Sequence, residues 1–366
     1  MNDRANWATI ADRIRRGTNP VEVAGYGYES THKGYLAWLL NSGHWTGAQE
    51  AMARLLRAAD WPESERPQVE RFVSALLPPF WCWTEKKVGA AKSDLLLASG
   101  TNGTGPKLAI ELKVDSPPGS KQFPKMSEGL GKEADLGLAL LLGTSAIRDD
   151  YLHCGGYGRF GTLTALAILQ TWEGLALPAP GQAWCEALTH EQQRLEGAYT
   201  LPGALQSVWW NAGYRSLRHM MYAKLHAVRG ALEATAICKP WHLYDGGFNT
   251  VLCLHGDSRR SWLPVAKNVL AFWEWNDDRL VLKVEAKDGQ SREMARRWLT
   301  AFQRRAGQVN CGVPQKTLPR AAHSGSTWIS VQSWAPRFEN PRVAADDAVA
   351  VIEAFEPLVH ETVIAE

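Results

Sequence analysis

The chain has 366 residues, 45% hydrophobic and 21% charged, with a formal net charge of +2. This composition supports a large buried core and excludes a disordered chain, and the length suggests two domains or one large one. So small a net charge gives almost no long-range field, so any contact with nucleic acid has to come from a local basic patch.

The opening "MNDRANWATIADRIRR" lacks the apolar stretch of a signal peptide. "ESTHKGYLAWLLNSG" (29–43) predicts a helix with an apolar stripe at Leu36, Leu39 and Leu40, capped by Ser30 or Thr31 and stopped by Gly43. Further helices are expected over 47–59 and 65–77, the second ended by Pro78-Pro79. "FWCWTEKKV" (80–88) alternates like a strand, "SDLLLAS" (93–99) reads as a second, and "KLAIELKV" (107–114) as a third. The "GTNGTG" between the last two has the composition of a hairpin turn. A helix over 121–133 follows, then "DLGLALLLG" (135–143), which reads as a buried strand with a buried helix as the alternative its periodicity leaves open, and a helix over 162–172. This order predicts an α/β fold with a mixed sheet flanked by helices.

The Pro- and Gly-rich "GLALPAPGQ" (174–182) reads as a domain edge, dividing the chain into 1–178 and 179–366. Beyond it an amphipathic helix is expected over 213–236, a hairpin over 269–286 turning at Asn276-Asp277-Asp278, and a helix over 289–305. A strand at 326–334 and a helix at 344–356 complete a C-terminal α+β unit. No internal repeat is evident.

The six cysteines (Cys82, Cys154, Cys185, Cys238, Cys253, Cys311) form no metal-ligand spacing, which argues against a structural zinc site and fits a reducing compartment. The longest apolar run, "LGLALLLGTSAI", is shorter than the about 20 residues that span a bilayer. A cytoplasmic protein without a membrane partner is expected. Seventeen tryptophans are either base-stacking platforms or packing residues, with packing the better account of most.

Strand residues alternate between two faces, so Glu111 and Lys113 share one face while Ile110, Leu112 and Val114 share the other. A hairpin turn sets Asp94 beside them. Two carboxylates from neighbouring strands can converge on one hard cation such as Mg²⁺, with Lys113 alongside to orient water or balance charge on a phosphate. The alternative is a plain salt pair on a solvated strand face.

The pattern Asp94–x16–Glu111–Leu112–Lys113 resembles the PD-(D/E)xK nuclease superfamily. The resemblance extends to Gln122 in "SKQF", after the E-x-K strand, and to Glu29 at the start of an earlier helix. "E…H…LAWLL…H" is similar to bacterial and phage-associated branches, and "FWEWNDDRLVLKVE" to the C-terminal strands of one of them. It covers the first half of the chain well and the second half loosely. Ser93 stands where proline is common, and "QFPKMSE" departs from the usual residues after the Gln. The resemblance implies a restriction-endonuclease-like core at 1–178. It implies that Asp94, Glu111 and the backbone carbonyl of Leu112 hold Mg²⁺, with Mn²⁺ as its substitute, and that Glu29 is an auxiliary acid, with a second metal as one role for it. Lys113 would be the catalytic lysine, with Gln122 orienting it or a phosphate. No organic cofactor is implied.

The expected function is Mg²⁺-dependent hydrolysis of DNA phosphodiesters by an endonuclease, in restriction or phage defence. RNA and branched nucleic acid stay open as substrates. The alternative is a nuclease-fold adaptor that binds nucleic acid or a partner protein without cutting. The C-terminal unit is assigned to substrate recognition, homodimerisation or partner binding. For Glu29 the other account is an acid favoured by a helix N-terminus. His32 and His44 read as packing or surface residues, and Glu85 either faces the site or lies on the surface. Lys86, Lys87, Lys92, Lys107, Lys121 and Lys125 either neutralise DNA phosphates or form a solvated face. Neither "GTNGTG" nor "SEGLGKE" (127–133) has the order of a phosphate-binding loop. His255 and Asp257 have no spaced partner.

Overall fold

The structure, a computed structural model, describes residues 12, 16–41, 43–150, 156–201, 206, 217–235, 240–246, 250–254, 263–316 and 327–362. Cys154, Cys238, His255 and Asp257 lie outside them, as do nearly all of the first sixteen residues. The chain forms two compact units, Met1–Met220 and Met221–Glu366. Among the described residues no helix is long and apolar enough to cross a membrane.

In the first unit, helices α1 (Pro20–Ala24), α2 (Glu29–Leu40), α3 (Ala48–Ala58) and α4 (Arg66–Ala75) precede strands β1 (Phe80–Val88), β2 (Ala91–Ser99) and β3 (Lys107–Lys113). Then come α5 (Gln122–Ser127), β4 (Leu136–Leu141), β5 (Gly161–Thr164), α6 (Ala165–Trp172) and α7 (Ala179–Glu196). The strands form one sheet in the order β1-β2-β3-β4-β5, with β1, β2 and β3 antiparallel and β3, β4 and β5 parallel. A mixed α/β architecture is therefore present.

The two faces of the sheet are covered unequally. Leu95, Leu97, Leu108, Ile110, Leu112, Leu138 and Leu140 enter a large core with α2, α3, α4, α6 and α7. On the other face Leu96, Ala109 and Ala139 pack under Phe123 and Met126 of α5 and under Phe160. Double coverage explains why every residue of β4 is buried.

Some boundaries differ from the sequence expectation. The N-cap of α2 is Tyr28, with no side-chain cap bond, and Thr31 instead donates its hydroxyl to Ala24 O. Burying Leu36, Leu39 and Leu40 contributes about 1.5–3 kcal/mol each, against about 1 kcal/mol for a cap, so packing holds this helix without one. Its C-cap is Asn41, not Gly43. The helix expected over 121–133 ends at Ser127, ahead of Gly129 and Gly131. The segment 162–172 opens as strand β5, and Thr164 then caps α6 by accepting from Ala167 N. The expected domain edge at 178/179 falls at the N-cap of α7, whose Trp184, Ala187 and Leu188 belong to the first unit's core.

Helix α8 (Leu217–Glu233) leads into the second unit. There β6 (Trp241–Asp245), β7 (Thr250–Leu254), β8 (Leu263–Ala266), β9 (Val269–Asn276), β10 (Arg279–Ala286), β11 (Gln315–Lys316) and β12 (Trp328–Trp334) form an antiparallel sheet. Its helices are α9 (Gly289–Ala306) and α10 (Pro341–Glu361). The β9–β10 hairpin turns on Asp277 and Asp278, with Asp277 at φ +50° as such turns favour. Trp273, Trp275, Trp298 and Trp334 are fully buried, so these tryptophans are packing residues. Strands β6, β7, β8 and β11 were not expected from sequence.

Candidate functional site

The site lies where the β2–β3 ladder opens. The two strands pair from Ala98↔Lys107 to Leu95↔Ile110 and stop there. One step further, Asp94 and Glu111 stand opposite each other. Their side chains take over the backbone groups that the ladder no longer serves. Leu112 N–H donates to Asp94 Oδ2 at 2.9 Å, and Asp94 N–H to Glu111 Oε2 at 3.4 Å. The buried Ser93 hydroxyl lies 2.9 Å from Ile110 O and 2.8 Å from Leu95 O. The same sheet face carries Leu96 and Ala109 under α5, so it changes from apolar cover to acids within one residue pair.

On the β1 side the register runs Thr84↔Leu95 and Lys86↔Ser93, which sets Glu85 opposite Asp94. Glu85, Asp94 and Glu111 thus form a row across three strands, continued by the small Ala139 of β4 opposite Glu111.

Helix α2 brings its N-terminal turn over this row. Glu29 and Lys33, four residues apart, lie on one helix face. Lys113 Nζ is 2.8 Å from Glu111 Oε1 and 3.4 Å from Glu29 Oε1 and Oε2. Lys33 Nζ pairs closely with Glu85 and lies 3.7 Å from Asp94 Oδ1. From α5, Gln122 Nε2 donates to Glu111 Oε1 at 2.5 Å. Side-chain exposure rises outward along the cluster, from 3% at Glu111 and 7% at Lys113 to 14% at Asp94, 17% at Lys33, 32% at Glu29 and 51% at Glu85. The pair read on β3 is therefore not a solvated one.

Burial pushes the Glu111 carboxyl up to about 7, with the charges of Asp94 and Glu29 adding and Lys113 opposing. Burial also raises Glu29, with Asp94 adding and Lys113 opposing. For Lys113, burial works against the charge, but Glu111, Glu29 and Asp94 outweigh it and the ammonium is held above its usual range. Lys33 is raised in the same way, its burial outweighed by Glu85 and Asp94.

Among the described residues no group of three or more His, Cys, Asp or Glu side chains converges to enclose a metal. The donor set does fit a hard divalent cation such as Mg²⁺, which is bound by one or two carboxylates and leaves its other positions to water and phosphate. Four carboxyl groups (Glu29, Glu85, Asp94, Glu111) meet two ammonium groups (Lys33, Lys113), so acids outnumber bases in the ion-paired cluster. Asp94 and Glu111 are the residues that could hold such an ion. Leu112 contributes its amide, to Asp94; its carbonyl has the role only by resemblance.

All the residues expected at the site from sequence are thus brought together. Lys33 was missed, though its i+4 spacing from Glu29 was a readable signal. His32 is fully buried and accepts from Trp184 Nε1 at Nδ1, which leaves Nε2 to donate to Tyr26 O. It is a neutral packing residue. His44 stacks on Trp38 at the surface. Of the six nearby lysines, Lys107 is half-buried and the other five are exposed. An apolar groove of about 740 Å³ lined by Pro20, Ala24, Tyr35, Trp38 and Pro180 contains none of the cluster's charged groups. Compared with known proteins, the chain matches no family model, no curated protein and no solved structure.

Proposed function

We propose that the first unit is a restriction-endonuclease-like core and that the protein is a Mg²⁺-dependent nuclease hydrolysing DNA phosphodiesters, without an organic cofactor. The observation that carries this reading is the opening of the β2–β3 ladder around Asp94 and Glu111, with Lys113 buried between Glu111 and Glu29. Asp94 and Glu111 would hold Mg²⁺ or Mn²⁺. When bound, the cation supplies Lewis acidity to the scissile phosphate. Lys113 keeps its proton at Nζ and offers positive charge to the phosphoryl oxygens as their charge grows. Gln122 fixes Glu111 Oε1, and Glu29 accepts from Lys113 and keeps its ammonium aimed. An endonucleolytic mode, and a setting in restriction or phage defence, rest on the resemblance alone.

The test is cleavage of plasmid, linear duplex and single-stranded DNA, with RNA alongside, in Mg²⁺, Mn²⁺ and EDTA. Wild type is expected to cut only with metal, and Asp94→Asn, Glu111→Gln and Lys113→Met each to lose about 100-fold or more. Full activity in Glu111→Gln would remove the mechanism. Binding without cutting under every condition would support the adaptor instead. Cutting of closed circular plasmid assigns the endonucleolytic mode.

A further inference from the structure

We infer that Lys33 is a second cationic contact of this site, one that binds a backbone phosphate of the nucleic acid while Glu85 holds it in the free protein. The inference rests on the nuclease reading. Lys113 is already committed to Glu111 and Glu29. Lys33 is engaged on the other side of Asp94, nearer to solvent, and has no contact with Glu111 among its ion pairs. Its hold on Asp94 is long, at 3.7 Å. Its main partner Glu85 is half exposed, and an ion pair with so much water around it is weak. A cation taking the Asp94 carboxylate would replace the charge that Lys33 supplies there. The ammonium is then released to a phosphate oxygen, with which it makes a charge-assisted hydrogen bond.

Glu85 adds an independent observation. It stands inside β1 with the register unbroken on both sides, yet its φ is +55°, in the left-handed region that a residue with a side chain rarely adopts. Such backbone persists where the surroundings over-determine it, commonly at ligand-handling positions. Here the outcome is a carboxylate set at the mouth of the site in contact with Lys33. A phosphate is common to every nucleotide, so this contact serves affinity and register, not sequence choice.

The test is anisotropy of a short labelled DNA duplex with Ca²⁺, titrated across NaCl concentrations, for wild type, Lys33→Met, Lys33→Arg and Glu85→Gln. Wild-type cleavage with Mg²⁺ is run in parallel. Lys33→Met should bind several-fold more weakly, and its plot of log affinity against log salt should be shallower by about 0.9, the loss of one phosphate contact. Lys33→Arg should keep the wild-type slope, and Glu85→Gln should bind at least as tightly as wild type. An unchanged affinity and slope in Lys33→Met, with wild type cutting, overturns this inference and leaves the nuclease reading standing. Weaker binding with an unchanged slope marks a structural role and overturns it too. A wild type that neither binds nor cuts overturns the nuclease reading and this inference with it.

Discussion

Lys113 and Glu111 are a buried ion pair, and pairs of this kind are costly to break from one side. Lys113→Met leaves Glu111 without its nearest counter-charge and should cost about 3–5 kcal/mol in urea unfolding well above pH 7, where Glu111 must lose its proton, and less at lower pH, where it keeps it. Adding Glu111→Leu should restore much of that loss, because the buried charge is then gone as well. Equal stability of the single and double variants would show that Gln122, not Lys113, carries Glu111. This depth of burial was not legible in the sequence. The two-residue alternation of "ELK" places both side chains on one face, but part of the cover comes from Glu29, 84 residues away along the chain from Lys113, and Gln122, though near in sequence, is brought over Glu111 only by the turn into α5. Lys33 escaped for a related reason: reading its helix by apolar periodicity gives weight to Leu36, Leu39 and Leu40 and none to the charged face.

At the scale of elements, the ladder between β2 and β3 ends because side chains complete it. Ser93 is part of that arrangement, in the position where the resemblance leads one to expect proline. Its hydroxyl serves Ile110 O in a fully buried setting. Ser93→Ala should therefore cost about 0.5–1.5 kcal/mol in chemical denaturation, the net contribution of one buried hydrogen bond, since the ladder pair Leu95↔Ile110 still serves the carbonyl. No change in the midpoint would show that the ladder bond alone satisfies Ile110 O. The strands around this opening were readable: β1 spans the expected residues, and β3 lies within one residue of expectation. Strand β5 was not, since its four residues run directly into a helix and its pairing with β4 is made by residues distant in sequence. The short β6, β7 and β8 likewise acquire their identity from neighbours, not from a pattern of their own.

At the scale of the whole molecule, the chain carries its acid cluster in one of two compact units. A ligand that binds only the folded state stabilises it by about 1.4 kcal/mol at tenfold its dissociation constant. In calorimetry, Mg²⁺ should raise the melting transition of the first unit and leave that of the second in place, and Asp94→Asn should abolish the shift. A shift that survives in Asp94→Asn would place the ion elsewhere. The division of the chain was only partly legible, because a Pro- and Gly-rich stretch marks a change of direction as readily as a domain edge; here it opens α7. The carboxylate row crosses three strands, and two of its members hold backbone amides that a sheet would otherwise keep for itself. Electrical balance and mechanical cohesion are consequently linked in this protein: whatever redistributes charge among the acids also tightens or slackens the seam between β2 and β3, so the sheet works as a strain gauge for the cluster it carries.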